Sequence, residues 1–435
     1  MIARPRSVCL LSHPLTGIMA ERFIVEGGYP LRGSVSVSGS KNAAVAAVAA
    51  ALLVADDCYL ENLPDIGDVA YMARVLESLG VEVKRPSPSS LHLNASRVTS
   101  TSPASELVVS LRASFMVMGP LLARFGQAAC PPPGGDVIGQ RPIDVHLAGF
   151  AAMGADIRRQ GEKFLAEARG LRGARVFMDY PSVLGTQNVM LAATLAKGTT
   201  VIINAAAEPE IVGLAELLNK MGARVHGAGG HTVEIEGVEA LHGARHAIIP
   251  DRIEAGTFAI AAAISGGDLR IAGAVPQHLQ SLVAKLREAG AQVDEDEGSL
   301  SVCCPSELRA VSIQAVPYPG LPTDLQAPMA ALLTQATGVS YVHERVFDNR
   351  LLYVSELRKM GAEVVSTGTT AIISGPTPLV GTSVRALDIR AGAALLLAAL
   401  VARGRTEISD IYHLNRGYQR IDEKLRSVGA VIHAE

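Results

Sequence analysis

Two aspartates in contrasting settings are the residues best suited to chemistry in this chain. Asp136 lies in Pro131–His146, PPPGGDVIGQRPIDVH, behind three prolines and a Gly134–Gly135 pair. Each proline fixes φ, and the glycines supply a joint without side-chain restriction, so Asp136 reads as a carboxylate on a stiff, hinged arm. Asp324 follows PYPGLPT, a rigid turn, and reads as a carboxylate on a fixed element. Set among the cations Lys41, Arg141, Arg350 and Arg416, such a pair suits an acid and a base working on an anionic substrate. Pro142 is expected at the first position of a helix, which would put the helix N-terminus beside Arg141. His146, just inside that helix, reads as structural. On local sequence alone, a Pro/Gly-rich surface turn with a solvated Asp136 is the alternative.

These residues are positioned by a repeat. The segments LESLGVEV, FAAMGADI, LLNKMGARV, LREAGAQV, LRKMGAEV and LRSVGAVI place Gly80, Gly154, Gly222, Gly290, Gly361 and Gly429 at gaps of 74, 68, 68, 71 and 68 residues. Glycine closes a helix in the left-handed conformation, and the β-branched residues after it open a strand. Each unit also holds a more apolar helix: KNAAVAAVAAALLV, LRASFMVMGPLLARF, SVLGTQNVMLAATLA, RIEAGTFAIAAAIS, TDLQAPMAALLTQA and DIRAGAALLLAALVA. A helix apolar nearly all round belongs inside a core, and one with a single apolar stripe covers a sheet. The expected fold class is therefore α/β, with six β-α-β-α-β-β type units in two domains of three.

Polar loops recur before the amphipathic helices: PDIGD, the arm, AAAEPEI, GAVPQ, RVFDNR and IYHLNRG. Equivalent positions let them converge on one cleft. The apolar helices start at charged residues too: Lys41–Asn42 after SVSGS, then Arg112, Asp251–Arg252, Asp324, and Asp388 with Arg390. Each has an innocent reading as a cap, but several facing one cleft point to a ligand. Arg350 and Arg416 lie in the fifth and sixth loops, where each could pair bidentately with phosphate or carboxylate.

Composition narrows the classes. Lys plus Arg number 39 against 42 Asp plus Glu, which leaves no basic footprint for nucleic acid and no polybasic membrane patch. The five cysteines lack metal-ligand spacing and disulfide density, as expected in a reducing compartment such as the cytoplasm. The apolar tracts fall short of the roughly 20 residues that span a bilayer. In residues 1–20 two arginines precede a short apolar run, but His13 and Pro14 break it, so the segment reads as a disordered extension rather than a signal peptide, with Met19 as an alternative start.

Taken together, SGSKNAA, LRASFMVMGPLLARFGQ, PGGDVIGQRPIDVH, EPEI, PDRIEAGTF, PTDLQA, VFDNR, DIRA and IYHLNRGYQRI closely resemble the UDP-N-acetylglucosamine 1-carboxyvinyltransferases from Phe23 to Val431. The resemblance implies the enolpyruvyl transferase fold: two inside-out α/β domains of three repeats each. Residues 21–40 and 250–435 would form a discontinuous catalytic domain, and 41–249 a second domain carrying the mobile loop 131–141, with hinges near Ser40–Lys41 and Pro250. It implies transfer of the enolpyruvyl group of phosphoenolpyruvate to the sugar 3-hydroxyl, with release of phosphate, as the first committed step of peptidoglycan synthesis. Lys41, Asn42, Arg141 and Arg416 would hold phosphoenolpyruvate. Arg112, the run Arg141, Pro142, Ile143, Asp144 and Val145, then Ser182, Val183 and the backbone of Val346 would hold the UDP-sugar. Asp324 would accept the hydroxyl proton, with His146, Arg350 and Arg390 supporting. No metal and no organic cofactor is implied, and the partners are these two small molecules.

Three departures stand out. Asp136 occupies the arm position that is Cys in most of the family, so a proton-donating Asp must have its pKa raised from about 3.9 by desolvation or substrate charge. Leu184 stands where Gly is usual in the UDP-sugar segment, and residues 1–20 have no counterpart. The rivals are 5-enolpyruvylshikimate-3-phosphate synthase, whose glycine-rich acceptor segments are not found; an enolpyruvyl transferase for another nucleotide; and a silent UDP-sugar-binding paralogue. Intact Lys41, Asp136, Asp324 and Arg416 weigh against the last.

Overall fold

A computed structural model of the protein describes residues 21–136, 138–139, 142–304 and 307–435. The expected disordered extension and Arg141 lie outside the described residues. Six small sheets surround two groups of buried helices. In the first group are α1 (Lys41–Ala50), α2 (Met118–Phe125) and α3 (Val183–Ala193); in the second, α4 (Arg252–Ile264), α5 (Thr323–Leu333) and α6 (Ile389–Ala399). Every residue of α4 and α6 is buried. Their Ala and Gly content allows this, because short side chains let helix axes approach. A Cβ added at Gly256 of α4 would lie 2.5 Å from Leu325 of α5.

The sheets are the outer layer. Strand Asp268–Ala272 alternates exposed and buried residues, as a sheet covered on one face requires, and it pairs in parallel with Arg32–Ser36 and antiparallel with Ser299–Cys303. The same order, a short strand parallel to a central one and then an antiparallel hairpin, recurs in the sheets built on Thr199–Ile203 and Gly338–Glu344. All six glycines of the repeat have positive φ, from 92° to 104°. Each sits where the outer helix gives way to its strand, the position the periodicity predicts.

The chain crosses twice between the groups. The second core draws on residues 23–35 and 253–432, and the first on residues 43–248. Strand Arg22–Glu26 inserts into the sheet of Arg405–Ser409 and Val431–Ala434, while Arg245–Ala247 returns to complete the sheet of Asp57–Glu61. The two crossing segments pair at Gly39 and Pro250, with Ser40 N donating to Ile249 O at 2.7 Å and Asp251 N to Ser38 O at 2.8 Å. Asp251 ties both helices that start there. Its Oδ1 caps α4 at Ile253 and Glu254, and its Oδ2 accepts from the Lys41 backbone N–H at 3.0 Å.

Two local expectations need correction. The helix after the arm runs Asp144–Ala152, so Pro142 lies outside it rather than at its first position. The segment LRASFMVMGPLLARF is not one helix: Arg112–Val117 is a 3-10 turn, and α2 begins at Met118. Ser114 bonds back to Leu111 and Val108, which holds the tighter geometry.

Replacing Gly154, which has open space at its Cβ position, by Ala leaves only left-handed strain and is expected to destabilise by about 1–2 kcal/mol. At Gly80 the new Cβ would meet Arg97 O at 2.7 Å, and Gly80→Ala is expected to add about 1–3 kcal/mol of overpacking. Urea unfolding of both variants measures the difference.

Candidate active site

A cavity of about 480 Å³ lies between the two helix groups. Its walls include the N-termini of α1, α3, α4, α5 and α6, the arm and the loop before Arg350. Lys41, Asn42, Arg112, Asp136, Pro142 and Asp144 line it, together with Val145, His146, Ser182 and Val183. Asp324, Val346, Arg350, Arg390 and Arg416 complete it from the other side. Of the described residues singled out in the sequence, Ile143 alone faces a small adjoining pocket instead, with Leu184 and Phe115.

The charged helix starts divide into caps and site residues. Asp251 and Asp388 cap α4 and α6, each taking backbone N–H groups on one carboxylate oxygen. Asp324 sits one residue inside α5 and is held by arginines, with Arg350 Nη2 on Oδ1 at 2.6 Å and Arg390 Nη2 on Oδ2 at 2.9 Å. Burial works against its charge, but Arg390, Arg350 and Lys41 outweigh it and hold the carboxyl far below the usual range. Arg350 Nη1 also donates to Thr323 Oγ1, which donates in turn to Glu344. Glu344 accepts from the Val346 and Phe347 N–H groups, so the part of the Val346 backbone left for a ligand is its carbonyl.

The arm bridges the cavity. At its root, Gly134 lies so close to Val109 O that a Cβ would fall 1.7 Å away; at its tip, Asn349 N donates to Ile138 O at 3.4 Å. Asp136 accepts from Arg416 Nη1 at 2.7 Å, and the same guanidinium donates through Nε to Asp68 at 2.9 Å. Lys41 Nζ meets the other Asp68 oxygen at 3.3 Å. Burial alone raises the Asp136 carboxyl, but His413, Arg416 and Lys41 together hold it well below the ordinary carboxylate range. The raised pKa expected of a proton-donating Asp136 is one that desolvation or the substrate's charge would have to impose. In this structure the cations outweigh desolvation, and Asp136 is an ionised partner of Arg416.

Arg112 Nη2 donates to Pro142 O at 3.2 Å, and Ser182 caps α3 by accepting from Gly185 N. The first N–H groups of α3 thus face the cavity at an end suited to an anion. His146 is buried against Asn188 and the edge of Phe115, and burial pulls its imidazole down to about 3, which keeps it neutral and structural.

Sequence reasoning missed several wall residues. Asp68, in PDIGD, is 3% exposed and balances Lys41 and Arg416. Glu210 pairs with Arg252 at 3.1 Å with both buried, a contact between the two helix groups. Among the described residues, Gln187 Oε1, Glu208 Oε2 and Arg350 Nε are buried without a hydrogen-bond partner, and all three residues line the cavity. EPEI and the helix-start Arg252 were visible as polar punctuation, but nothing local marks their pairing.

Helices buried under six sheets, with a cleft of paired cations and carboxylates between two cores, are the architecture of the enolpyruvyl transferases. The chain matches the EPSP synthase (3-phosphoshikimate 1-carboxyvinyltransferase) family over residues 25–425. It is 48% identical over 415 residues to UDP-N-acetylglucosamine 1-carboxyvinyltransferase 1 of Caldanaerobacter subterraneus, covering 95% of this chain and 100% of the relative. It is 49% identical over 405 residues to the UDP-N-acetylglucosamine 1-carboxyvinyltransferase of Finegoldia magna, covering 92% and 96%. Among solved structures, the enolpyruvyl transferase NikO from Streptomyces tendae aligns with a TM-score of 0.85 at 27% identity, covering 96% of this chain and 99% of that one. The chain belongs to the EPSP synthase family and, within it, to the UDP-N-acetylglucosamine 1-carboxyvinyltransferases.

Arg252→Met is expected to destabilise the fold by about 3–5 kcal/mol, because Glu210 would keep a buried charge without its partner. Adding Glu210→Gln should recover much of that loss in thermal unfolding.

Proposed function

We propose that the protein transfers the enolpyruvyl group of phosphoenolpyruvate to the 3-hydroxyl of UDP-N-acetylglucosamine and releases phosphate, the first committed step of peptidoglycan synthesis. The observation that carries this is the pairing of two carboxylates, Asp136 on the arm and Asp324 on α5, across one cavity lined by Lys41, Arg350, Arg390 and Arg416. The two curated relatives, which this chain matches over nearly its whole length, bear the name of that reaction.

In this reading phosphoenolpyruvate lies against Lys41, Asn42 and Arg416, with Arg141 as the further expected contact. The UDP-sugar lies along Arg112, Asp144, Val145 and the N-terminus of α3 at Ser182–Val183, and meets the carbonyl of Val346. Asp324 takes the hydroxyl proton as the sugar oxygen attacks C2, and Asp136 gives a proton to C3. Arg350 and Arg390 keep Asp324 ionised, as a base must be before it accepts. Residues 21–40 with 250–435 act as the catalytic domain and close on 41–249 about the paired crossings at Gly39 and Pro250. Leu184 lines a small pocket with Phe115, Pro133 and Ile143, beside the root of the arm.

Phosphate release from phosphoenolpyruvate, followed with UDP-N-acetylglucosamine, UMP and shikimate-3-phosphate as parallel acceptors, tests the assignment. Release with the UDP-sugar alone is expected, and release only with UMP or shikimate-3-phosphate overturns it. Asp136→Asn keeps the shape but removes the transferable proton, and kcat is expected to fall by roughly 10²-fold or more.

A carboxylate is a poorer nucleophile than a thiolate towards an epoxide. The wild-type protein is therefore expected to show no time-dependent inactivation by fosfomycin, while Asp136→Cys gains it; preincubation assays on both proteins read this directly.

A further inference from the structure

His413 has no part in the mechanism derived so far. It sits on the short helix Tyr412–Gly417, three residues before Arg416, so the two side chains share a face. Its Nδ1 is buried, has no hydrogen-bond partner among the described residues, and stands 3.5 Å from Asp136 Oδ1, just beyond a formed bond. The Tyr412 ring lies over the imidazole, with 4.0 Å between centroids and a tilt of 32°. Asp136 therefore faces a guanidinium it is bonded to at 2.7 Å and an imidazole nitrogen at the longer distance of 3.5 Å.

The reading of Arg416 as a phosphoenolpyruvate contact gives this arrangement a consequence, and the inference rests on that reading. Phosphoenolpyruvate brings a carboxylate and a phosphate to cations that already hold Asp68 and Asp136. Asp68 is fixed on a helix and also bound by Lys41, whereas Asp136 is on the arm. The mobile carboxylate is the one that yields. We propose that Asp136 occupies the seat of the donor anion in the ligand-free protein, and that the displaced carboxylate is caught by His413, which supplies the proton Asp136 then delivers to C3.

On donor binding the His413–Asp136 pair takes one proton from solvent, which makes the imidazole an imidazolium, and its Nδ1–H then passes that proton to Asp136 Oδ1. Asp136 transfers it to C3 as the C2–O bond to the sugar forms and the hydroxyl proton goes to Asp324. When the C2–O bond to phosphate breaks, C3 returns one proton to Asp136, and the hydroxyl proton leaves with phosphate. His413 acts through Asp136 without touching the substrate, so it is a positioning residue and a proton store.

The charged groups around the pair set the direction. Arg416 on the same helix and Lys41 on α1 keep Asp136 ionised, and Asp68 opposes them. Asp410, just before the helix, is engaged by Arg385. When the donor anion occupies Arg416 and Lys41, their pull on Asp136 is neutralised and negative charge is added beside it. Both changes favour proton uptake by the His413–Asp136 pair.

Calorimetric titration of the full-length protein with phosphoenolpyruvate at pH 8, in buffers of different ionisation enthalpy, counts protons taken up on binding. About one proton per donor is expected for wild type, since one group changes its protonation, and less than half of that for His413→Asn and His413→Gln. In phosphate-release assays the alkaline limb of kcat should move about one unit lower in both variants, roughly a tenfold loss above it, with little change in KM for phosphoenolpyruvate. A variant damaged only in structure would lose activity evenly across pH, and that result, or unchanged uptake with an unmoved limb, overturns the proposal. The uptake measurement uses no acceptor. Uptake that depends on His413 without turnover on UDP-N-acetylglucosamine would sink the acceptor assignment and uphold this proposal. Wild-type protein that binds no phosphoenolpyruvate would overturn both.

Discussion

Arg416 carries one positive charge and faces two carboxylates: Asp68 from the first helix group and Asp136 from the arm. Its planar fork allows this, because Nε and Nη1 point to different oxygens at the same time, which a lysine ammonium does with less directional control. Both partners are largely shielded from water, with side chains 4% and 14% exposed, so the attraction is weakly screened. The arm's position is thereby tied to the charge in the cleft. Gly67 makes the arrangement possible on the opposite wall, since a Cβ there would press to within 3.3 Å of the Arg416 side chain.

The repeat explains how such a wall is assembled. Helices placed inside and sheets outside leave the helix N-termini as the parts of each unit that can reach the space between the cores. Backbone N–H groups and partial positive charge collect there. Acidic residues fill some of these ends and become caps, as Asp251 and Asp388 do, and they spend their charge on backbone donors. Asp324 lies beyond the capping position, where arginines reach it, and its charge stays directed at the cavity. Two residues of register along a helix separate a capping carboxylate from one directed at the cavity.

The parts of this molecule legible in the sequence are those governed by local rules. The six left-handed glycines, the strands after them and the all-apolar helices follow from backbone sterics and burial within one unit. The cleft residues were legible as polar punctuation at equivalent points of the repeat. Their electrostatic state was not. Asp136 is held ionised by a residue 280 positions away, and Arg416 is balanced by one 348 positions away, so neither shift has a local signature. His413 lay inside a recognised segment, yet only the fold brings its ring to the arm. The 3-10 turn at Arg112–Val117 escaped for a related reason: its tightening depends on Ser114 bonding backwards, which apolar periodicity does not register.

The two carboxylates are both held ionised in this structure, yet the contacts that hold them differ in a way that suits the opposite tasks proposed for them. Asp324 has two arginines, each at most 5% exposed, anchored in the same helix group, and neither is shared with another carboxylate among the described residues. An anion entering the cavity leaves both bonds in place, so Asp324 stays charged and able to accept a proton. Asp136 shares the Arg416 guanidinium with Asp68, and it sits on the arm rather than on a helix. In the proposed reaction the same anion leaves Asp324 unchanged, competes with Asp136 for Arg416 and adds like charge beside it. Substrate entry would thus separate the proton affinities of two groups that begin alike, and a base and an acid would emerge from one residue type through the rigidity of the cations around them.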